Sequence, residues 1–212
     1  MRMITGPVTD KILPYLVIDN WFSEKELNSI WKELEFYSER EKLARSEDNL
    51  TVTPTDLQKN PLAFSYRIYL DSFYKLEKRN ISTILNCQKK FQTFDFYDKI
   101  KDIPMARQFP NTNGDTSQVS YYENGDHFKS HYDVFQFTIL IWLFKEPKKF
   151  EGGDLLFDEL NEKVEVKNNR LLFFPSYYIH SVDEIKMKND IDIGYGRYCI
   201  THFYYTTSKG IV

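Results

Sequence analysis

His127-Phe128-Lys129-Ser130-His131-Tyr132-Asp133-Val134-Phe135, followed after Gln136 by Phe137-Thr138-Ile139-Leu140-Ile141-Trp142-Leu143-Phe144, is the stretch that decides the fold. Both runs are short and rich in β-branched and aromatic residues, which reads as two strands. Outward from them the texture recurs, with turn residues between, at Gln118 to Tyr122, Asp154 to Phe157, Lys163 to Val166, Leu171 to Phe174, Ile179 to Ile185 and Tyr195 to Tyr205. About eight short strands of this kind suit a double-sheet jelly roll, the double-stranded β-helix.

The N-terminal half reads differently. Ile12 to Ile18 is apolar enough for a short strand, and Ser23-Glu24-Lys25-Glu26 is a capping-box pattern opening a helix through Leu27, Ile30, Trp31 and Leu34. Glu39 to Pro61 is charged and polar, with Thr53-Pro54 and Asn60-Pro61, and is expected to be a long surface loop and a candidate lid. Between Tyr66 and Tyr97, apolar residues recur through Ile68, Phe73 and Leu76, then through Ile81, Ile84, Leu85 and Phe91, predicting two helices that buttress a sheet. The expectation is one α+β domain over 1–212, helix-rich from 1 to 114 with a jelly-roll core from 115 to 206.

Composition narrows the partners. The 212 residues are 42% hydrophobic and 17% aromatic, enough for one substantial core. A net charge of −3 gives no general attraction to phosphate backbones, so nucleic acid is disfavoured. Only Cys87 and Cys199 are present, too few for a disulfide framework or a zinc–cysteine cluster, which suits a reducing compartment. No apolar run approaches the roughly 20 residues of a membrane span. The expected location is the cytoplasm, with no membrane partner.

The chemistry is concentrated at His131-Tyr132-Asp133 and, 49 positions later, at His180, which ends Phe174-Pro175-Ser176-Tyr177-Tyr178-Ile179-His180. Residues two apart on a strand share a face, so His131 and Asp133 can chelate one ion from one element while Tyr132 points away. His180 must come from another strand. Two His and one carboxylate in the order HxD…H are the ligand set of the facial triad that holds Fe(II) and leaves positions open for substrate and O₂. No other histidine has an acid two residues later: Lys129, Val182 and Tyr204 stand there instead.

Around the triad runs an ordered series: Tyr122-x-x-Gly125-x-x-Phe128-x-x-His131-x-Asp133, Phe150-Glu151-Gly152-Gly153-Asp154-Leu155, Arg170-Leu171-Leu172-Phe173-Phe174-Pro175, and Gly196-Arg197-Tyr198-Cys199-Ile200-Thr201. This series, over about residues 115 to 206, resembles the Fe(II)/2-oxoglutarate dioxygenases, specifically the prolyl 4-hydroxylase-like branch. The resemblance implies that His131, Asp133 and His180 ligate Fe(II). It puts Arg197 where the family pairs a basic residue with the distal carboxylate of 2-oxoglutarate; a guanidinium offers two parallel donors and stays charged when buried. Collagen-type prolyl 4-hydroxylases carry Lys at that place, and the interval from His180 to Arg197 is long for the family. An Arg followed by Tyr on an alternating strand is similar instead to the oxygen-sensing prolyl hydroxylases and their bacterial relatives.

Tyr122 matches the family tyrosine that helps to hold the cosubstrate, with Tyr121 a rival because a one-residue shift of register exchanges faces. Trp142 stands where relatives often have a cosubstrate-contacting Tyr; an indole can donate but not accept a hydrogen bond. Thr138 could reach the cosubstrate from the same strand face as Trp142, or pack in the core. Gly152-Gly153-Asp154 is expected to be a structural turn, His127 a strand-end histidine, and His202 to face away from Arg197.

The resemblance implies an O₂-dependent hydroxylase using Fe(II) and 2-oxoglutarate, with ascorbate a candidate accessory reductant. The preferred substrate is a prolyl or other aminoacyl residue of a peptide or protein. The alternatives are a free amino acid or other small molecule, a nucleic-acid dealkylase, and a non-catalytic metal-binding jelly-roll module. Dealkylases carry a second Arg six positions after the first, where this chain has Phe203.

Overall fold

The computed structural model describes residues 3–5, 15–38, 42–49, 53–103, 105–189 and 194–208. Among these, eight strands form the larger sheet, in the order Met3–Thr5, Leu16–Asp19, Arg170–Pro175, Phe137–Leu143, Arg197–Tyr205, Gly114–Tyr122, Tyr66–Tyr69 and Ala44–Arg45. A second sheet of five runs Glu162–Val164, Leu155–Phe157, His180–Val182, His127–His131 and Ala63–Phe64. All named pairings within both sheets are antiparallel. This is the double-stranded β-helix, and each of the eight strands expected from residue 118 onward is present.

Alternation along the strands divides the interior in two. Ile139, Ile141, Leu143, Leu171, Phe173, Val119, Tyr121, Tyr198 and Ile200 face one core, shared with Ile30, Leu34, Tyr37, Ile84 and Phe96 of the helical segments. Their neighbours Leu140, Trp142, Leu172, Phe174, Tyr122 and Cys199 face the other, together with Phe128, Leu155, Phe157 and Val182 of the smaller sheet. Burial on both faces favours apolar residues at successive positions, which is why Phe137–Leu143 is apolar but for Thr138.

The helix Glu24–Ser38 starts as the capping box requires: the Ser23 amide donates to Glu26 Oε2 at 2.8 Å, and the Glu26 amide donates to Ser23 Oγ at 3.4 Å. Its buried face is Ile30, Leu34 and Tyr37. The strand expected over Ile12 to Ile18 is Leu16–Asp19, preceded by the unexpected strand Met3–Thr5; residues 12–14 lie outside the described residues.

Two expectations for the N-terminal half are corrected. Ile68 is not helical: Tyr66–Tyr69 is a strand that pairs with Gln118–Tyr121, as its β-forming Tyr-Arg-Ile-Tyr composition favours. Beyond it the chain runs through the short segments Leu70–Phe73, Leu76–Ile81, Thr83–Cys87, Gln88–Gln92 and Phe94–Ile100, partly 3₁₀. Ser82 and Thr93 break the run, their hydroxyls accepting from the amides of Leu85 and Phe96 and so restarting a helix each time.

The segment Glu39 to Pro61 is also no free loop where it is described. Ala44–Arg45 joins the larger sheet, Ser46 Oγ donates to Ser65 O at 2.9 Å, and Thr53 Oγ1 donates to Ser46 O at 2.6 Å. Residues 39–41 and 50–52 lie outside the described residues. No helix among the described residues is long and apolar enough to cross a membrane.

Candidate metal centre

Strand pairing builds the centre. His180 lies directly opposite His131 across the antiparallel pair His127–His131 and His180–Val182, so both imidazoles rise on one face with ring centroids 4.3 Å apart. Asp133 is not on the strand, which ends at His131, a correction to the expected run through Phe135. It is held instead by its surroundings. Its amide donates to Ser176 O at 2.9 Å, and Thr138 Oγ1 donates to Asp133 Oδ2 at 2.7 Å while contacting Ser176 Oγ at 2.7 Å.

Asp133 Oδ1 lies 3.7 Å from His131 Nε2, and Oδ2 lies 3.7 Å from His180 Nε2. One ligand atom from each residue falls within 4.8 Å of the other two. Each histidine is fixed from behind: His131 Nδ1 donates to Lys129 O and His180 Nδ1 to Tyr178 O, both at 2.8 Å. A carbonyl can only accept, so Nδ1 carries the proton and Nε2 presents its lone pair to the cluster. Phe128 stacks on His131 at 3.5 Å, and Phe174 meets His180 edge-on at 4.9 Å. Burial, then the neighbouring His180, holds the His131 pKa well below the usual histidine range, and burial raises that of Asp133 against the pull of His180 and Thr138. A divalent cation would relieve the second penalty by placing positive charge against the carboxylate. The donor set therefore fits Fe(II).

The triad opens on a narrow cavity of about 40 Å³, room for a few waters. Tyr122, Trp142 and Arg197 line it with Leu140, Leu155 and Cys199. Entry of a five-carbon diacid requires these side chains to part. Arg197 is 1% exposed, its Nη1 donating to Gly153 O at 2.6 Å, its guanidinium 4.2 Å above the Tyr122 ring and its Nε without a partner. Among the described residues no carboxylate lies within ion-pair distance of it. The Gly152-Gly153 turn has φ of 71° and 76°, and a Cβ at Gly152 would stand 2.0 Å from Glu184 O. The turn thus also supplies the carbonyl that holds Arg197. Trp142 Nε1 is likewise buried with no partner.

Tyr121 is on the opposite face: its hydroxyl accepts from the Gly196 amide at 3.2 Å and its ring packs 4.4 Å from Tyr198. Thr138 does not line the cavity; its hydroxyl braces Asp133. His127 stacks on Phe64 at the strand end, and His202 is buried on the helical side beside Ser117. One contributor escaped the sequence reading: Ser176 carries no local signal, because its contact with Asp133 and Thr138 joins segments far apart in the chain.

A facial set of two histidines and one carboxylate inside a double-stranded β-helix defines the non-haem iron oxygenase class. Residues 117–205 match the family model described as the 2OG-Fe(II) oxygenase superfamily. No curated protein matches by sequence. Solved structures share the fold at low identity. A prolyl-4-hydroxylase from Pseudomonas putida is 13% identical, with a TM-score of 0.57 over 92% of this chain and 93% of that one. A prolyl hydroxylase from Trichoplax adhaerens, solved with a hypoxia inducible factor peptide fragment, is 15% identical, with a TM-score of 0.57 over 90% and 83%. The viral collagen prolyl hydroxylase of Paramecium Bursaria Chlorella virus-1, solved with 2OG, is 18% identical, with a TM-score of 0.53 over 93% and 97%.

Proposed function

We propose that His131, Asp133 and His180 hold Fe(II), that Arg197 receives the distal carboxylate of 2-oxoglutarate, and that the enzyme hydroxylates a prolyl or other aminoacyl residue of a peptide or protein. The observation that carries the reading is one cavity lined by both the triad and a buried arginine with no acidic partner among the described residues. A buried guanidinium without a carboxylate is costly, and a diacid cosubstrate is the counter-charge it lacks. Tyr122 holds the guanidinium plane from below, and the Trp142 indole N–H is a second donor facing the same space. Bound Fe(II) would activate O₂, the oxidant, with 2-oxoglutarate as the co-reductant oxidised alongside the substrate, which is the chemistry that hydroxylating an unactivated C–H bond requires. The protein's own share is to fix the ligands, neutralise the diacid and keep water out.

Exposed apolar side chains flank the ligands and support a polypeptide substrate: Tyr132 is 61% exposed and Val134 82%, with Tyr177 between the two ligand segments also open. The two cysteines are buried free thiols, which suits the reducing cytoplasm.

Anaerobic titration with Fe(II) and 2-oxoglutarate tests the metal chemistry. A metal-to-ligand charge-transfer band is expected, and His131→Ala should abolish it; no band with the unmodified protein sinks the reading. Mass spectrometry of proline-containing peptides incubated with enzyme, cosubstrate and ascorbate should find the gain of one oxygen atom. If peptides stay unmodified while free amino acids gain oxygen, the peptide reading fails.

A further inference from the structure

Arg67 is 7% exposed and, among the described residues, its hydrogen bond from Nη1 to Tyr69 Oη is long at 3.3 Å. Its Nε and Nη2 are buried and have no partner. The other buried or half-buried arginines away from the metal cavity each have an acid: Arg45 has Glu47 and Asp126, Arg79 has Asp71 and Asp115, and Arg170 has Asp19. Arg67 and Arg197 are the exceptions among the described residues.

The place of Arg67 is as telling as its isolation. It pairs with Ser120 across the sheet, and Ser120 lines the metal cavity, so Arg67 belongs to the face that carries Tyr122. Its guanidinium lies 5.7 Å from the Phe128 ring, which stacks on His131. It also lines a groove of about 520 Å³ with Arg45, Ser46, Asn49, Thr53 and Tyr69. Arg67 therefore lines an outer, largely apolar groove on one side and approaches the triad through Phe128 on the other.

The unpartnered atoms define the ligand. Nε and Nη2 are the edge with which Arg170 grips Asp19, at 2.5 and 2.9 Å to its two carboxylate oxygens. The same edge of Arg67 has no protein acceptor, and it matches a carboxylate bidentately. We propose that Arg67 binds a carboxylate of the substrate, selecting acidic substrates and orienting them towards the metal. This rests on the dioxygenase reading above, in which Arg197 already serves the cosubstrate. The carboxylate could sit on an acidic side chain next to the target residue or be that of a free amino acid; both are the same chemistry to Arg67.

The test uses the anaerobic protein loaded with Fe(II) and 2-oxoglutarate and reads perturbation of the charge-transfer band by matched probes. One pair is acetyl-Glu-Pro-amide and acetyl-Gln-Pro-amide; the other is L-proline and L-prolinamide. In at least one pair the carboxylate should bind about tenfold or more tighter than the amide, and the responding pair identifies the source. Arg67→Gln should keep the band, shrink that preference to about twofold or less, and melt no lower than the parent, because it removes an unpaired buried charge. Equal binding within both pairs, no response to any probe, or a preference that survives in Arg67→Gln overturns the proposal. Loss of the band in Arg67→Gln would assign the residue to the cosubstrate, and a lower melting temperature would assign it to the fold; either overturns it too. Absence of the band in the parent is a different failure, that of the iron reading itself.

Discussion

Thr138 is where a single hydroxyl separates folding from metal binding. It reaches Asp133 Oδ2 and Ser176 Oγ at 2.7 Å each, so it orients the one anionic member of the triad without touching the cavity. Thr138→Val preserves shape in a fully buried position but removes both bonds. Outer partners of metal ligands typically contribute about 10–100-fold in affinity, and a loss of that size is expected for Fe(II), read by titration of the charge-transfer band. Far-UV circular dichroism of the variant should match the parent. Arg197→Gln acts on the other component: losing a buried charged partner costs about 2–5 kcal/mol, so the 2-oxoglutarate Kd should rise by about 30-fold or more at unchanged Fe(II) affinity. His131, Asp133, His180 and Arg197, which line one cavity, were legible as candidates in the sequence because each is a chemically distinctive residue at a recognisable spacing. Choosing Tyr122 over Tyr121 was not, since only the register opposite Arg197 and Tyr198 decides which of two adjacent tyrosines faces the cavity.

At the scale of elements, the turn between the strand Leu16–Asp19 and the helix Glu24–Ser38 is pinned by one residue, just before the strand Arg170–Pro175. Asn169 has a φ of 57°, receives the Trp21 amide on its backbone carbonyl at 3.1 Å, and clasps Phe22 with its side chain, Oδ1 accepting from the amide and Nδ2 donating to the carbonyl, both at 2.8 Å. Asn169→Ala leaves a buried amide and carbonyl unpaired and puts alanine in a left-handed conformation. A loss of about 2–4 kcal/mol is expected in urea denaturation, with the metal site unaffected in the native state. This junction left no mark in the sequence, because an Asn before a strand reads as an ordinary turn. Conversely, the capping box at Ser23 was legible because both of its partners sit within four residues. Local hydrogen bonds can be read from order along the chain; bonds spanning 147 residues, like those of Asn169, cannot.

Over the whole molecule, the jelly-roll half was readable and the buttress was not, for one reason. Strands buried on both faces advertise themselves by composition, whereas the buttress between Leu70 and Ile100 is a set of turns interrupted by Ser82 and Thr93 that keeps a helix-like apolar period. That buttress closes over a buried polar cluster with a consequence for acid stability. Gln88 Nε2 donates to Ser117 Oγ at 2.7 Å, Ser117 Oγ hydrogen-bonds with His202 Nδ1 at 2.8 Å, and His202 Nε2 is buried without a partner. Burial, with a smaller push from Arg79, lowers the His202 pKa to about 3 from an ordinary value of 6.5. Between those values the unfolded chain takes up a proton that the folded protein refuses. Stability is therefore full above about pH 6.5 and falls as pH drops towards 3, by up to about 1.4 kcal/mol per pH unit. The metal-free protein should thus melt progressively lower from pH 7 to pH 5, with His131 adding in the same direction and the raised carboxyl of Asp133 opposing. His202→Asn keeps a hydrogen-bond partner for Ser117 without a titrating ring, so its melting temperature should depend less steeply on pH than the parent's. Parallel slopes for parent and variant would show that the buried imidazole is not what the acid attacks.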